Sequence, residues 1–284
     1  MKNSDRASLE ILVPEKDPHY FLQNEIANNL GRFHTLSQEA PVNVLVVGKQ
    51  GCGKSTLVRQ FAVRYNRPLA TFQVGILSEP GQLFGELRLK GGETYYQKFL
   101  FPQAISTRNC VIHLEEINRP EHPKALNMLF SILGDERQAW MDELGLVRVA
   151  DGVVFFATLN EGEEFTGTEM LDAALRDRFY VVTMDYLPRD VEKNVLKLKT
   201  GITEEDAQKI VSILNNLRYN TKMPISVSTR HSLMISRVVK AGASIREALI
   251  FSLQMNREVL ESILLTVHMD MGEKEVPENA YELY

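Results

Sequence analysis

The chain has 284 residues, 44% hydrophobic and 24% charged, with a formal net charge of −5 and a sequence pI near 5.8. That length buries a full core in one large domain or two modest ones, and the composition excludes a fibre or a disordered chain. The polar start MKNSDRASLE, the lack of an apolar run of membrane-spanning length, and only two cysteines (Cys52 and Cys110, read as free thiols) predict a cytoplasmic protein with no membrane partner and no disulfide or metal framework.

In chain order, residues 1–41 read as a lead-in. Pro14, Asp17 and Pro18 break it, and a helical stretch over 21–30 places Phe21, Ile26 and Leu30 on one face. Residues 42–65, VNVLVVGKQGCGKSTLVRQFAVRY, then join an apolar β-branched strand to GKQGCGKS, which matches G-x-x-x-x-G-K-[ST] at every fixed position. This is a P-loop. Its glycines let backbone N–H groups approach a phosphate, so Gly48, Gln50, Gly51, Cys52 and Gly53 form the candidate cradle; the side chains of Lys49 and Cys52 occupy free positions without chemistry of their own. Leu57, Val58, Phe61, Ala62 and Tyr65 repeat on one face of the following helix, whose N-terminus points at the phosphates. Lys54 is expected on the β- and γ-phosphates of a nucleotide, and the Ser55 hydroxyl on magnesium.

After Pro68, residues 69–74 form a second strand, and 81–99 read as a β-hairpin turning at Gly91-Gly92. Residues 110–119, CVIHLEEINR, make a strand ending in Glu115 and Glu116, where one carboxylate can hold a magnesium shell and the next polarise an attacking water. His113, mid-strand, is read as a satisfied buried imidazole. A helix over 123–133 stops at Gly134; residues 137–150, with the single tryptophan, form a second excursion. VVFFATL, residues 153–159, is a strand ending in Asn160; LDAALRDRF, 171–179, leads to a fifth strand over 180–184. The alternation predicts an α/β fold, a parallel five-stranded sheet with helices on both faces. Beyond Pro188 the pattern is helical, with capping-box signals at Thr203/Asp206 and Ser244/Glu247. The expected division is a lead-in (1–41), an α/β nucleotide-binding domain (42–187), a small α-helical lid (188–272) and a solvated acidic tail (273–284).

These residues resemble the AAA+ ATPases, in the branch related to MoxR, the cobaltochelatase ATPase subunit and the dynein-like ATPases. The resemblance spans residues 42–242: GCGKST is similar to the Walker A motif, HLEEINRP to Walker B, FFATLNEG to sensor 1, LDAALRDRF to the arginine-finger region and VSTRHSL to sensor 2. It implies ATP and magnesium as cofactors. Lys54, Ser55 and Thr56 would bind phosphate and metal, Glu115 would hold the magnesium shell, Glu116 would activate water and Asn160 would orient it. Arg178, with Arg176 as second candidate, would act as an arginine finger in a neighbouring subunit, and Arg230 would report the γ-phosphate to the lid. The family usually has Asp before the Walker B glutamate, so Glu115, one methylene longer, is expected to slow hydrolysis without abolishing it. The family also places a hairpin inside its second helix, where residues 86–99 fall; Tyr95 and Tyr96 there could grip a polypeptide, stack on bases, or belong to a plain structural flap.

The implied function is an ATPase that assembles with itself into a ring, a hexamer by resemblance, and remodels a protein substrate or adaptor, for which a von Willebrand A domain protein is the partner kinship suggests. Two alternatives remain. A nucleic-acid motor is disfavoured by the acidic balance, although a basic pore hidden inside an acidic total would still admit nucleic acid as a partner. A nucleotide-gated scaffold would bind ATP with little turnover. A small-molecule P-loop kinase would leave Asn160, Arg178 and Arg230 without a purpose.

Overall fold

The computed structural model describes residues 11–160, 171–219, 227–253, 258 and 281–283. Five apolar runs form one sheet: β1 (Val42–Gly48), β2 (Leu69–Gln73), β3 (Val111–Glu115), β4 (Val154–Asn160) and β5 (Tyr180–Met184), in the order β5-β1-β4-β3-β2. Every pairing is parallel, as expected of strands joined by helical crossovers. β1 and β4 lie inside the sheet and are buried on both faces, which is why they read as near-continuous apolar runs.

The two-residue strand period divides the sheet's side chains between two cores. Leu45, Val47, Ile112, Leu114, Phe155 and Ala157 face one core, built with α3 (Leu100–Ile105) and α4 (Asn127–Leu133). Val44, Val46, Val111, Val154 and Phe156 face the other, covered by α1 (Asn24–Leu36) and α2 (Lys54–Arg64). Leu57, Val58 and Phe61 of α2 are fully buried there, each contributing about 1.5–3 kcal/mol. A short helix, α5 (Ala173–Arg176), precedes β5. The C-terminal helices α6 (Arg189–Thr200), α7 (Glu204–Tyr219), α8 (Thr229–Lys240) and α9 (Ile245–Leu253) close around a third core of Leu196, Ile210, Leu214, Ile235 and Leu249. The expected caps form: Thr203 Oγ1 accepts from the Asp206 amide at 3.1 Å, and Ser244 and Glu247 bond reciprocally at 3.2 and 2.9 Å.

Four details depart from the sequence reading. Phe21–Gln23 is a strand, and the helix starts only at Asn24. Its antiparallel partner is Tyr281–Leu283, so the end of the expected solvated tail pairs with the lead-in; backbone pairing outweighs the weak helical periodicity of 21–30. The rest of that tail, and the first ten residues of the lead-in, lie outside the described residues. The expected hairpin forms between Gly85–Lys90 and Glu93–Lys98, but a short 3₁₀ turn at Val74–Ile76 precedes it where the resemblance implied a helix. Tyr95 on it is exposed. The Tyr96 ring packs over Gly85, where a Cβ would stand 2.6 Å from Cζ, so the two neighbouring tyrosines do not project together. The 137–150 excursion is a second hairpin, Gln138–Met141 with Gly145–Arg148. No helix among the described residues is long and apolar enough to cross a membrane.

Candidate functional site

The C-terminal edge of the sheet gathers the predicted residues. Register places Gly48 beside both Asn160 and Met184, and Gln73 opposite Glu115. Glycine is required where the loop leaves β1, since a Cβ at Gly48 would stand 2.3 Å from the Met184 carbonyl oxygen. Gly51, at φ +72°, passes so close to the start of α8 that a Cβ would stand 2.4 Å from that of Ser228. The loop is thus clamped between the end of β5 and the C-terminal helices.

Lys54 opens α2 and is buried; its Nζ donates to the carbonyls of Gly48 and Lys49, both at 2.8 Å, and burial holds its pKa below the ordinary lysine range. Ser55 Oγ donates to Glu115 Oε1 at 2.6 Å, and Gln73 Nε2 donates to the other oxygen of the same carboxylate. Asn160 Nδ2 donates to Glu116 Oε1 at 2.9 Å, while Arg119 Nη1 pairs with Oε2 at 3.3 Å. Glu116 has φ +55°, an uncommon conformation for a residue with a side chain, and its amide donates to Thr158 Oγ1 at 3.3 Å. His113 is buried against the same hydroxyl, its Nε2 3.3 Å away, and burial lowers its pKa to about 4, as expected of a neutral core imidazole. Cys52 is also buried, which raises its thiol pKa.

Lys54, Ser55, Thr56, Glu115, Glu116 and Asn160 line one cavity of about 320 Å³. Gln50, Gly51, Cys52, Gly53 and Arg230 border it too, and the 19–23 segment forms another wall. Gly48 does not line the cavity; its carbonyl oxygen accepts from Lys54 Nζ.

Arg176 and Arg178 lie elsewhere: neither lines this cavity. Arg178 stacks its guanidinium 5.2 Å from the Phe130 ring centroid and donates to the Ala174 carbonyl, and Arg176 is exposed. Among the described residues neither pairs with Asp172 or Asp177; Asp172 instead caps α5, accepting from the amides of Ala174 and Leu175 at 2.8 and 3.2 Å. Sequence reasoning missed Gln73, Arg119 and Thr158. Gln73 carries no local signal: it falls inside the 69–74 run, and its place opposite Glu115 is set by register.

Residues 43–179 match the family model described as AAA domain (dynein-related subfamily). Over 284 residues, 100% of this chain and 99% of the relative, the sequence is 61% identical to a Thauera aromatica protein named "Putative chaperone BssE". The chain belongs to the AAA+ family. It is also 26% identical over 253 residues to SH1500 of Staphylococcus haemolyticus, 85% of this chain and 90% of that one. Among solved structures, a mutant of Thermotoga maritima RuvB matches with a TM-score of 0.56 at 16% identity, over 88% of this chain and 72% of that one. RuvB in a structure described as a Holliday junction branch migration motor matches with a TM-score of 0.54 at 15% identity, over 92% and 74%. At that identity the likeness is one of fold: the AAA+ sheet followed by C-terminal helices.

Proposed function

We propose that this AAA+ chain hydrolyses ATP with magnesium at the cavity described above, and that subunits assembled in a ring use the hydrolysis to remodel a protein partner, as a chaperone does. One observation carries the reading: the phosphate loop, two carboxylates and a polar strand-end amide converge on one cavity, with Glu116 and Asn160 already hydrogen-bonded at 2.9 Å. The donor set suits magnesium, which prefers hard oxygens and few protein ligands: the Ser55 hydroxyl and the Glu115 carboxylate lie 2.6 Å apart. Those two residues would hold the ion, which when bound supplies charge neutralisation to the transferring phosphoryl group.

The remaining steps belong to the chain's own groups. Lys54, Thr56 and the loop amides bind the phosphates, and Arg230 at the start of α8 reaches them from the helical lid. Glu116 accepts a proton from the attacking water, and Asn160 orients the pair. Arg178, with Arg176 as the alternative, stabilises developing charge in a neighbouring subunit. Their position outside their own cavity supports a role in trans. The domain division into lead-in, nucleotide domain (42–187), helical lid (188–272) and tail is part of this reading, as are cytoplasmic location, six subunits, placement near the MoxR branch and a von Willebrand A domain adaptor. The relative's chaperone name supports a protein substrate. The exposed side chains we assign to it are Leu87 and Leu89 on one face of the first hairpin, Tyr95 on its other face, and Trp140 of the second hairpin.

The test is ATP hydrolysis per subunit across a wide range of protein concentration, for the native chain, Arg178→Ala and Lys54→Ala. Activity that rises with concentration and is lost in both variants is expected. Equal activity at every dilution, untouched by Arg178→Ala, overturns the ring and the finger together. A second reading, the nucleotide-gated scaffold, is favoured by one observation: both oxygens of Glu116 are engaged, by Asn160 and Arg119. Nucleotide binding without turnover at any concentration would select it.

A further inference from the structure

Within the C-terminal helices lies an ion pair that the catalytic reading does not use. Arg218 of α7 and Glu192 of α6 are 1% and 0% exposed and meet in a two-pronged contact, Nη1 to Oε2 at 2.5 Å and Nη2 to Oε1 at 2.7 Å. Ser232 of α8 donates to Glu192 Oε1 at 2.6 Å, and Arg218 Nε donates to the carbonyl of Val227, next to the start of α8, at 2.9 Å. A buried pair of this kind contributes little net stability compared with apolar packing, but it fixes geometry. Here it fixes three helices and the point where α8 begins.

This pair is one ring away from the phosphate loop. Arg218 Cζ lies 4.6 Å from the centroid of the Tyr186 ring, within cation–π range, and Tyr186 Oη donates to the carbonyl oxygen of Gln50 at 3.2 Å. Gln50 precedes Gly51, the residue that abuts Ser228. The loop is therefore held to the helices at two adjacent points, and both lead to the first turn of α8, where Arg230 stands. Lys49 also approaches the Tyr186 ring, at 5.4 Å, and the ring of Tyr219 at the end of α7, at 5.6 Å, while pairing with Asp185 at 3.6 Å; Lys49 and Asp185 are both exposed, so solvent screens these contacts, unlike the buried Arg218–Glu192 pair.

We propose that Tyr186 is a positioning residue: it ties the phosphate loop to the Arg218–Glu192 pair and thereby sets where Arg230 stands over bound nucleotide. The inference rests on the ATP-site reading above. Tyr186→Phe removes the hydroxyl and leaves the ring against Arg218. Affinity for a fluorescent, non-hydrolysable ATP analogue, which carries the γ-phosphate, is measured for the native chain, Tyr186→Phe, Arg230→Ala, the double variant and Lys54→Ala, together with the thermal midpoint of each protein without nucleotide.

Tyr186→Phe is expected to lower the nucleotide-free midpoint by only about 2–4 °C, the effect of one lost neutral hydrogen bond in a chain of this size, and to bind about five-fold more weakly because Arg230 is no longer held in place. In the Arg230→Ala background the same change is expected to have no further effect, because the tyrosine acts through that arginine. Native affinity for Tyr186→Phe, or losses that add in the double variant, overturn the inference and leave the ATP site standing. Native affinity for Lys54→Ala overturns the ATP-site reading itself.

Discussion

Asn43, the second residue of β1, is 3% exposed, and its amide fastens three segments to the sheet. Nδ2 donates to the carbonyls of Leu133 at 2.9 Å and Arg178 at 2.8 Å, and Oδ1 accepts from Arg137 Nη1 at 2.6 Å. Arg137 in turn donates to the Pro41 carbonyl at 2.8 Å. Asn43→Ala removes all three bonds to the amide at once. A buried polar group left unpaired costs about 1–3 kcal/mol, and the half-buried Arg137 can find water, so a loss of about 3–5 kcal/mol is expected. That is a large part of the roughly 5–15 kcal/mol that holds a typical domain together. Equilibrium unfolding in urea, followed by circular dichroism, should show the midpoint falling by at least about 1 M. Because the Arg178 carbonyl is one of the freed groups, hydrolysis at high protein concentration should fall further than the folded fraction does. A stability loss below about 1 kcal/mol would mean that the three partners rehydrate freely, and that Asn43 does not anchor the arginine.

Glu116→Gln keeps the side chain's size and one of its two acceptors, for Asn160 or for Arg119 but not both, and removes the base proposed above, so hydrolysis should drop by about 100-fold or more while affinity for an ADP analogue stays within about three-fold; equal losses in both would make Glu116 a binding residue. Glu115→Asp withdraws the carboxylate from Ser55 by about one bond length, 1.5 Å. If the extra methylene slows the native enzyme, the shorter side chain should raise the steady-state rate, and an unchanged rate would show that the departure has no kinetic consequence. Burial raises the thiol pKa of Cys52, and that of Cys110 to about 12, so the reactive thiolate is scarce at pH 8. Neither should react with a disulfide reagent in the native protein, and both should react in denaturant; rapid native labelling would contradict the packing around them.

The strands that form the sheet were legible because parallel strands buried on both faces leave long apolar runs, and β1 and β4 are the plainest of these. The phosphate loop was legible because its chemistry fixes residue types at fixed spacing. Phe21–Gln23 was misread: a strand this short carries almost no periodicity, and its partner, Tyr281–Leu283, lies at the opposite end of the chain. Gln73 and Thr158 escaped because their roles come from register and proximity, which no local pattern encodes. Tyr186 had no signal at all, since its meaning depends on a loop more than a hundred residues earlier and a helix still to come. Arg178 was legible as a candidate by its neighbours, but the structural reason for its place, the Asn43 amide, sits in a strand that reads as wholly structural.

The pair Glu115-Glu116 shows why strain belongs at this edge. Successive side chains of a strand point to opposite faces, so two adjacent carboxylates on an extended chain would be separated by the sheet. Both line the same cavity here because the chain leaves the extended region at Glu116, whose φ is +55°. A residue with a side chain held in the left-handed region costs on the order of 1 kcal/mol or more, and it persists only where its surroundings fix it. Thr158 holds the Glu116 amide, while Asn160 and Arg119 hold its carboxylate. Thr158 and Asn160 are both on β4, the strand flanked by β1 and β3, so the rigid middle of the sheet imposes the conformation. The strain thus turns one strand end into two functional groups: one carboxylate directed at Ser55 and one at Asn160.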